Sequence, residues 1–163
     1  MDDERLRPSA RGLLVDPDGR ILLAEFDLPH IHLWAVPGGG IEPGETSRAA
    51  LRRELLEEVG FEVLDEPPLV WRRRVVVDAV VEGYDGVLED HYLSRCDPFE
   101  PRGALTDEEL AAENVVSFRW WTAAEIREAT DAKAGYFSPR YLGVLLDDLL
   151  RDGPPVAPIE LGL

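Results

Sequence analysis

Runs of apolar residues divide the first forty residues into short strands. Residues 12–26 predict a β-hairpin, because two apolar runs flank the turn 16–19, where a proline presets φ and a glycine supplies a positive φ. A loop with two histidines follows, and 33–36 is a short apolar strand. It leads into 37–40, which we expect to lack regular structure because it consists of a proline and consecutive glycines.

An amphipathic helix is predicted after this turn. Thr46 or Ser47 can cap its start, and Gly60 can end it. Between them, apolar residues recur every four positions from Leu51 to Val59. This spacing places them in one stripe that faces a core.

Strand patterns return after the helix. A short strand is expected at 61–64. Two longer segments rich in β-branched residues, 69–82 and 87–96, predict a second hairpin around the turn 83–86. The segment 115–121 is predicted to be a last strand.

Three further helices are indicated by sequences that favour helix starts, such as a threonine three residues before a glutamate or a serine before a proline. They begin at 106–109, at 122–125 and at 138–139, and the last one runs to about residue 151. The Pro-rich tail 153–163 is expected to be irregular. The order of elements predicts a mixed α/β protein, with one domain over 1–163 and its core over about 10–151.

Composition and charge narrow the class of protein. Of the 163 residues 45% are apolar, so the chain can form a core and has the length of one domain. A single cysteine excludes an internal disulfide and a zinc–thiolate site. No apolar run approaches the ~18–20 residues of a membrane span, and the charged N-terminus differs from a signal peptide, so we expect a soluble cytoplasmic protein. The net charge of -16 argues against a nucleic-acid polymer as a partner, because proteins that bind one usually present a basic patch.

Three glutamates of the predicted helix are candidates for binding a metal ion. Glu54, Glu57 and Glu58 lie at i, i+3 and i+4 and share one face that borders the apolar stripe. Because like charges at this spacing repel, the face either is solvated and paired with Arg52 and Arg53 or holds a cation. The Gly-rich turn offers free carbonyl groups, and carboxylates, carbonyls and water are the ligands of Mg²⁺ or Mn²⁺. The local chemistry therefore favours a divalent metal site.

A longer motif surrounds these glutamates. Gly39 is followed after five residues by Glu45, and seven residues later by the run 53–61, which reads Arg-Glu-Leu-Leu-Glu-Glu-Val-Gly-Phe. The segment 39–61 resembles a complete Nudix box, the signature of the Nudix hydrolase superfamily. The first hairpin, the Trp-containing strand before the box and a Trp-rich strand near the end are also similar to this family, so the resemblance covers most of 10–150.

The resemblance implies a fold and a reaction. The fold would be a Nudix-type α/β/α sandwich with a mixed β-sheet between helices. The reaction would be hydrolysis of a diphosphate bond in a nucleoside diphosphate linked to a moiety X, such as an NTP, a nucleotide sugar or a related nucleotide, with Mg²⁺ or Mn²⁺ as the cofactor. The implied partner is a small nucleotide-type diphosphate and not a membrane, and a homodimer is among the expectations because dimers are common in this family.

The resemblance also assigns roles to residues. The implied metal ligands are Glu54, Glu57, Glu58 and a backbone carbonyl of Gly38 or Gly39. Glu45 and Arg53 would orient these acids, which makes these five charged residues of the box the expected catalytic set. The general base would be Glu54 or Glu57, or a glutamate from a later loop; Glu109 is the candidate for that loop contribution to the metal site, with Glu108 and Glu113 as alternatives.

Substrate contacts are less clearly marked. His32, and Arg72 and Arg74 on one face of a strand, are candidates, and pairing with surface acids is the alternative for these arginines. Family members that cleave ADP-ribose often carry a proline where this chain has valines at 75–77. Dinucleoside-polyphosphate members often carry a tyrosine where it has residues 78–79, Asp and Ala, so neither substrate is supported.

Two other functions occur among proteins that resemble the Nudix hydrolases. A catalytically silent nucleotide-binding module is the alternative to the hydrolase, although the intact acids favour catalysis. A diphosphate isomerase would use a cysteine before the box, whereas Cys96 lies well after it.

Overall fold

The computed structural model describes residues 3–77 and 81–162, which form a mixed β-sheet with helices on both faces. In chain order the elements are β1 (Leu6–Val15), β2 (Ile21–Asp27), β3 (His32–Ala35), β4 (Gly38–Gly40), α1 (Ser47–Val59), β5 (Leu69–Val76), β6 (Gly86–Arg95), α2 (Asp107–Ala112), β7 (Val115–Trp121), α3 (Ala123–Asp131), β8 (Tyr136–Ser138), α4 (Leu142–Asp152) and β9 (Ile159–Leu161).

The sheet has the strand order β8-β3-β2-β1-β6-β5-β9, with β4 paired to β1 and β7 paired to β2. Strands β1 and β6 are parallel along their whole length, from Leu6 opposite Gly86 to Val15 opposite Arg95. The pairs β3–β8 and β5–β9 are also parallel, and the other pairs are antiparallel. The sheet is therefore mixed, as expected.

Each face of the sheet is covered by helices because side chains of a strand alternate between the two faces. On one face, Leu14 and Leu22 pack with the buried side of α1, which includes Leu51 and Leu55. On the other face, buried residues of β1 and β2 pack with α3 and α4; this core includes Leu13, Val15, Ile21, Leu23, Ile126, Leu142 and Leu146. The predicted α/β fold and its sandwich of helix, sheet and helix are confirmed.

Local sequence signals located most elements within one or two residues. Thr46 caps α1 by accepting a hydrogen bond from the Ala49 N–H, and Gly60 ends the helix with φ 75°. The capping box at Thr122 opens α3 as predicted, and strand β7 spans the predicted range. Among the described residues, no helix combines the length and the apolar character needed to cross a membrane.

Five local predictions were wrong. Residues 38–40 form β4, whereas 61–64 contain no strand. The last helix does not start at the serine–proline pair: Ser138 ends β8, and α4 begins after Tyr141, whose backbone has a left-handed conformation and whose side chain provides no capping hydrogen bond. The tail contains β9, which pairs with β5, and β5 itself ends at Val76 rather than at 82.

Candidate active site

Helix α1 holds the three glutamates of the motif at the edge of the core. Leu51, Leu55 and Val59 are buried against the sheet, and this packing fixes which way the neighbouring glutamates face. Glu58 is 3% exposed, and the side chains of Glu54 and Glu57 are 13% and 39% exposed. The three acids therefore line the border between core and solvent, as their spacing predicted.

Strand β4 brings its backbone directly against two of these acids. The Gly38 N–H donates a hydrogen bond to Glu58 Oε2 at 3.2 Å. A Cβ on Gly38 would lie 2.2 Å from the Ala10 carbonyl oxygen, and a Cβ on Gly39 would lie 2.5 to 2.7 Å from the Glu54 carboxylate. Glycine is required at both positions because no side chain fits between β4, β1 and the acids.

Arg53 clamps the carboxylates on the solvent side. Its Nε and Nη2 donate to both oxygens of Glu45, at 2.8 and 2.9 Å, and Nη1 donates to Glu54 Oε1 at 2.8 Å. Nη2 also donates to the Gly40 carbonyl at 3.0 Å, which ties α1 to β4. The hydrogen bond from Arg53, with a further one from the Glu42 backbone, lowers the pKa of Glu45 to about 2. Glu45 therefore acts as a fixed anion that holds Arg53 in place.

Burial makes the inner acids hard to ionise without a cation. It raises the pKa of Glu58 to about 8, and repulsion from Glu54 adds to this effect. Burial also raises the pKa of Glu54, against the hydrogen bond from Arg53. A positive charge placed between Glu54 and Glu58 would reverse both shifts, because it would stabilise the ionised carboxylates.

A buried charged network lies behind the acids. Arg11 of β1 pairs through Nε with Glu89 of β6 and donates through Nη1 to the Val36 carbonyl at 2.8 Å. Arg73 of β5 binds the other oxygen of Glu89. Burial would raise the pKa of Glu89, but Arg11, His91 and Arg73 outweigh it and lower the pKa to about 2. Because two arginines share one carboxylate, this network carries a net positive charge into the sheet behind β4.

Two adjoining hollows open at this point. The first, here called the acidic cleft, has a volume of about 280 Å³ and is lined by Arg7, Arg11, Phe26, Gly38, Gly39, Gly40, Glu54, Glu58 and Glu113. The second, here called the apolar cavity, has a volume of about 420 Å³; its apolar walls are Phe26, Leu28, Leu33, Ala35, Val75, Val77, Val81 and Val87. The two hollows share Arg7, Arg11, Phe26 and Glu113, so a bound molecule can extend from one into the other.

Of the glutamates considered for the loop contribution, the first candidate, Glu109, does not line the acidic cleft. The Glu109 side chain accepts a hydrogen bond from the Thr106 backbone at 3.2 Å and completes the capping box of α2. Its alternative Glu113 caps the end of the same helix and lines the acidic cleft. The structure therefore brings Glu113, and not Glu109, to Glu54 and Glu58.

The three candidate substrate contacts lie outside both hollows. Arg72 pairs with Asp90 at 3.0 Å, Arg74 pairs with Glu4, and His32 lies 3.5 Å from Glu25. None of the three lines the acidic cleft or the apolar cavity, whereas Arg73, between the first two, does line the cavity. Arg72 and Arg74 therefore form ion pairs with surface acids, which was the alternative to a substrate contact for these arginines.

Sequence reasoning overlooked Arg7 and Arg11 of β1 and Glu89 of β6. A signal was present, because Arg11 interrupts an otherwise apolar strand pattern at a position of the same parity as the core residues Leu13 and Val15. Its partner Glu89 could not be identified from the sequence, because the parallel pairing of β1 with β6 joins segments 78 residues apart.

The donor set of the acidic cleft suits a hard divalent cation such as Mg²⁺ or Mn²⁺. It offers the carboxylates of Glu54 and Glu58, the backbone of Gly38 and Gly39 and, from the side, Glu113. As they stand, no three His, Cys, Asp or Glu side chains within 3–77 and 81–162 are grouped closely enough to hold an ion. Glu57, which is partly exposed and 3.5 Å from Arg53, would supply a further carboxylate on turning inward.

Comparisons with known proteins agree with this geometry. The family model for the NUDIX domain matches residues 5–141. The chain is 40% identical over 135 residues to an RNA pyrophosphohydrolase from Erythrobacter litoralis, covering 76% of this chain and 79% of that protein. It is also 40% identical over 65 residues to an RNA pyrophosphohydrolase from Serratia proteamaculans; that match covers 40% of this chain and 36% of that protein, so the chain spans about a third of that relative's length.

Solved structures show the same fold. The structure of a MutT NUDIX hydrolase from Burkholderia pseudomallei superimposes with a TM-score of 0.58 and 26% identity, covering 75% of this chain and 87% of that one. The region that the family model matches includes the box with its glutamates and the β4–α1 junction beside the acidic cleft. The chain belongs to the NUDIX domain family.

Proposed function

We propose that this protein hydrolyses a diphosphate bond in a nucleoside diphosphate linked to a moiety X, with Mg²⁺ or Mn²⁺ as its cofactor. The observation that carries the proposal is the pair Glu54 and Glu58, two largely buried acids on one face of α1 that lie against the Gly38–Gly39 backbone and line the acidic cleft. An apolar protein interior tolerates such a pair at neutral pH only as protonated acids or as ligands of a cation.

The residues of the cleft would bind and orient the reactants. Glu54 and Glu58 would hold the cation together with a backbone carbonyl of Gly38 or Gly39. When bound, a divalent cation neutralises the diphosphate and lowers the pKa of coordinated water. Arg53 keeps Glu54 in one orientation because it binds Glu45 and the Gly40 carbonyl at the same time.

A carboxylate must accept the proton of the attacking water. The water oxygen forms a bond to phosphorus, the bridging P–O bond breaks, and the products are a nucleoside monophosphate and a phosphorylated X. Glu57 is the most exposed of the three motif glutamates on α1, so we assign it the role of general base; Glu113 is the alternative from the loop. Glu109 has no part in this assignment, because its side chain caps α2.

The substrate itself is open to two chemical classes. The net charge of -16 favours a small nucleotide, delivered to the acids through the cation. The names of two relatives, RNA pyrophosphohydrolase, favour an RNA end as the second candidate. Residues 78–79, where the family marker for dinucleoside polyphosphates would lie, are outside the described residues.

A substrate panel tests the proposal. Cleavage products are separated and quantified by ion-exchange chromatography after incubation with Mg²⁺ or with Mn²⁺ of NTPs, nucleotide sugars, ADP-ribose, dinucleoside polyphosphates and an RNA oligonucleotide carrying a 5′-triphosphate. We expect metal-dependent turnover of at least one class, a loss of about 100-fold or more in kcat for Glu57→Gln, and unchanged turnover for Glu66→Gln on the exposed surface. Equal turnover by wild type and Glu57→Gln would reject Glu57 as the general base, and no cleavage of any substrate by either protein would reject the hydrolase. Nucleotide binding without turnover would establish the silent binding module instead.

A further inference from the structure

Arg7 stands at the junction of the acidic cleft and the apolar cavity. It lies on β1, four residues before Arg11 and opposite Val87 of β6, and it lines both hollows. Because it has the same strand parity as Arg11, its side chain leaves the sheet on the side of that charged network. A molecule that reaches from the acids into the cavity has to pass Arg7.

The charge of Arg7 is not neutralised by the part of the protein that the structure describes. The other arginines around the site are paired: Arg53 with Glu45 and Glu54, and both Arg11 and Arg73 with Glu89. Within residues 3–77 and 81–162, no carboxylate oxygen lies within 4.0 Å of the Arg7 guanidinium. A partly buried cation beside an acidic cleft, yet outside its ion pairs, is available to an anionic ligand.

Gly40 makes room for this guanidinium. A Cβ built on Gly40 would lie 2.7 Å from Arg7 Nη2 and 3.1 Å from Nε, so the arginine packs flat over the glycine. The Gly40 backbone does not require glycine for its conformation, because its φ lies outside the positive range. An alanine at this position would therefore displace the arginine tip and leave the β4 backbone intact.

We propose that Arg7 binds a phosphate oxygen of the substrate and directs the moiety X into the apolar cavity. The inference rests on the proposed function, since it requires a diphosphate at the acidic cleft. Arg7 would contact the phosphate oxygens on the side of the diphosphate that faces the cavity, and a cation held by Glu54 and Glu58 would neutralise the other side. Arg7 is thus a substrate-binding residue, and Gly40 is a positioning residue that acts through it.

The test combines kinetics with a double-mutant cycle. The variants are Arg7→Ala, Gly40→Ala and the double variant, with Arg95→Ala as the control. Arg95 is an exposed arginine at the far end of the β1–β6 pair, eight residues along the strand from Val87 or about 26 Å away, so its loss changes the net charge equally. Mn²⁺ affinity is measured for every variant as a readout of whether the acids are intact.

Arg7→Ala and Gly40→Ala are expected to raise KM by about 10- to 100-fold, with kcat changed by less than about threefold and Mn²⁺ affinity unchanged. In the Arg7→Ala background, Gly40→Ala should add less than about twofold, because its effect acts through the arginine. Two results would overturn the proposal. One is a KM for Arg7→Ala equal to that of the Arg95→Ala control. The other is an increase in KM from Gly40→Ala that is as large in the Arg7→Ala background as in wild type.

Binding of methylenediphosphonate in the presence of Mn²⁺, measured by calorimetry, separates this inference from the hydrolase function. If wild type binds the analogue and Arg7→Ala binds it about 10-fold or more weakly, the role of Arg7 holds even where no substrate is cleaved. If substrate is cleaved but both proteins bind the analogue equally, the Arg7 proposal fails and the hydrolase stands. If wild type neither binds the analogue nor cleaves any substrate, both fail.

Discussion

In the protein without metal, the Glu58 carboxyl group should carry a proton at neutral pH. The residue is 3% exposed, and burial together with repulsion from Glu54 raises its pKa to about 8 from 4.5 for an ordinary glutamate. The substitution Glu58→Gln keeps the shape of the side chain and its contact with the Gly38 N–H, but it removes the titration. The variant should therefore depend on pH differently from wild type, and it should lose metal binding.

The size of the difference follows from proton linkage. Between about pH 4.5 and 8, the folded wild type holds one more proton on Glu58 than the unfolded chain does, so its free energy of unfolding falls as the pH rises. The stabilisation from the protonated group is complete below the unfolded pKa and is lost as the pH passes the folded value of about 8. Relative to Glu58→Gln, wild type should lose roughly 2 kcal/mol between pH 6 and pH 8.

Urea unfolding in EDTA, followed by the fluorescence of the four tryptophans, measures this difference. Glu66→Gln, at a glutamate whose side chain is 75% exposed, should follow wild type at each pH. Added Mn²⁺ should stabilise wild type at pH 8 and leave Glu58→Gln unchanged, because a ligand stabilises only the fold that binds it. Parallel pH curves for wild type and Glu58→Gln in EDTA would show that the buried group is already ionised and that the reasoning is mistaken.

Two further predictions concern the glycine turn and the core. Gly39→Ala should lower metal affinity and turnover by about tenfold or more, because the new methyl group would lie 2.5 Å from the Glu54 carboxyl carbon. Gly135→Ala, whose nearest neighbour would be 3.5 Å away, should leave both unchanged in the same metal titration. Leu55→Ala should lower the free energy of unfolding by about 2–5 kcal/mol, and the half-exposed neighbour Leu56→Ala by no more than about 0.5 kcal/mol, in urea unfolding. Equal effects within either pair would contradict the assigned environments.

Sequence signals predict an element correctly when the residues of that element set its boundaries. Helix α1 has a capping threonine, an apolar stripe and a terminal glycine, and all three act within the helix. Strands β4 and β9 depend on distant partners: β4 pairs its glycine backbone with β1, and β9 pairs with a strand more than 80 residues earlier. Backbone pairing of this kind leaves no side-chain pattern in the short strand itself, so the Gly-rich segment and the Pro-rich tail were predicted to be irregular.

The residues of the candidate site also fall into those that local sequence predicts and those that it does not. The motif glutamates share one helix, so their common face could be predicted from spacing alone. The arginines of β1 reach the cleft only through the pairing of β1 with β4 and β6, and Glu109 leaves it because its own helix needs a cap. Glu113, one turn further along, gains the position that was expected for Glu109. The positions of the arginines thus depend on contacts between segments far apart in the chain, whereas the capping contact of Glu109 is local.

The metal site is the centre of the proposed chemistry, and Mn²⁺ binding followed by electron paramagnetic resonance tests it directly. Free Mn²⁺ gives a strong signal that decreases on binding, so a titration reports affinity and stoichiometry without any substrate. Wild type and Glu66→Gln should bind Mn²⁺ with equal affinity, and Glu58→Gln should bind it at least about 10-fold more weakly. Equal affinity in all three proteins, or no binding by wild type, would show that the acids of α1 do not hold the cation.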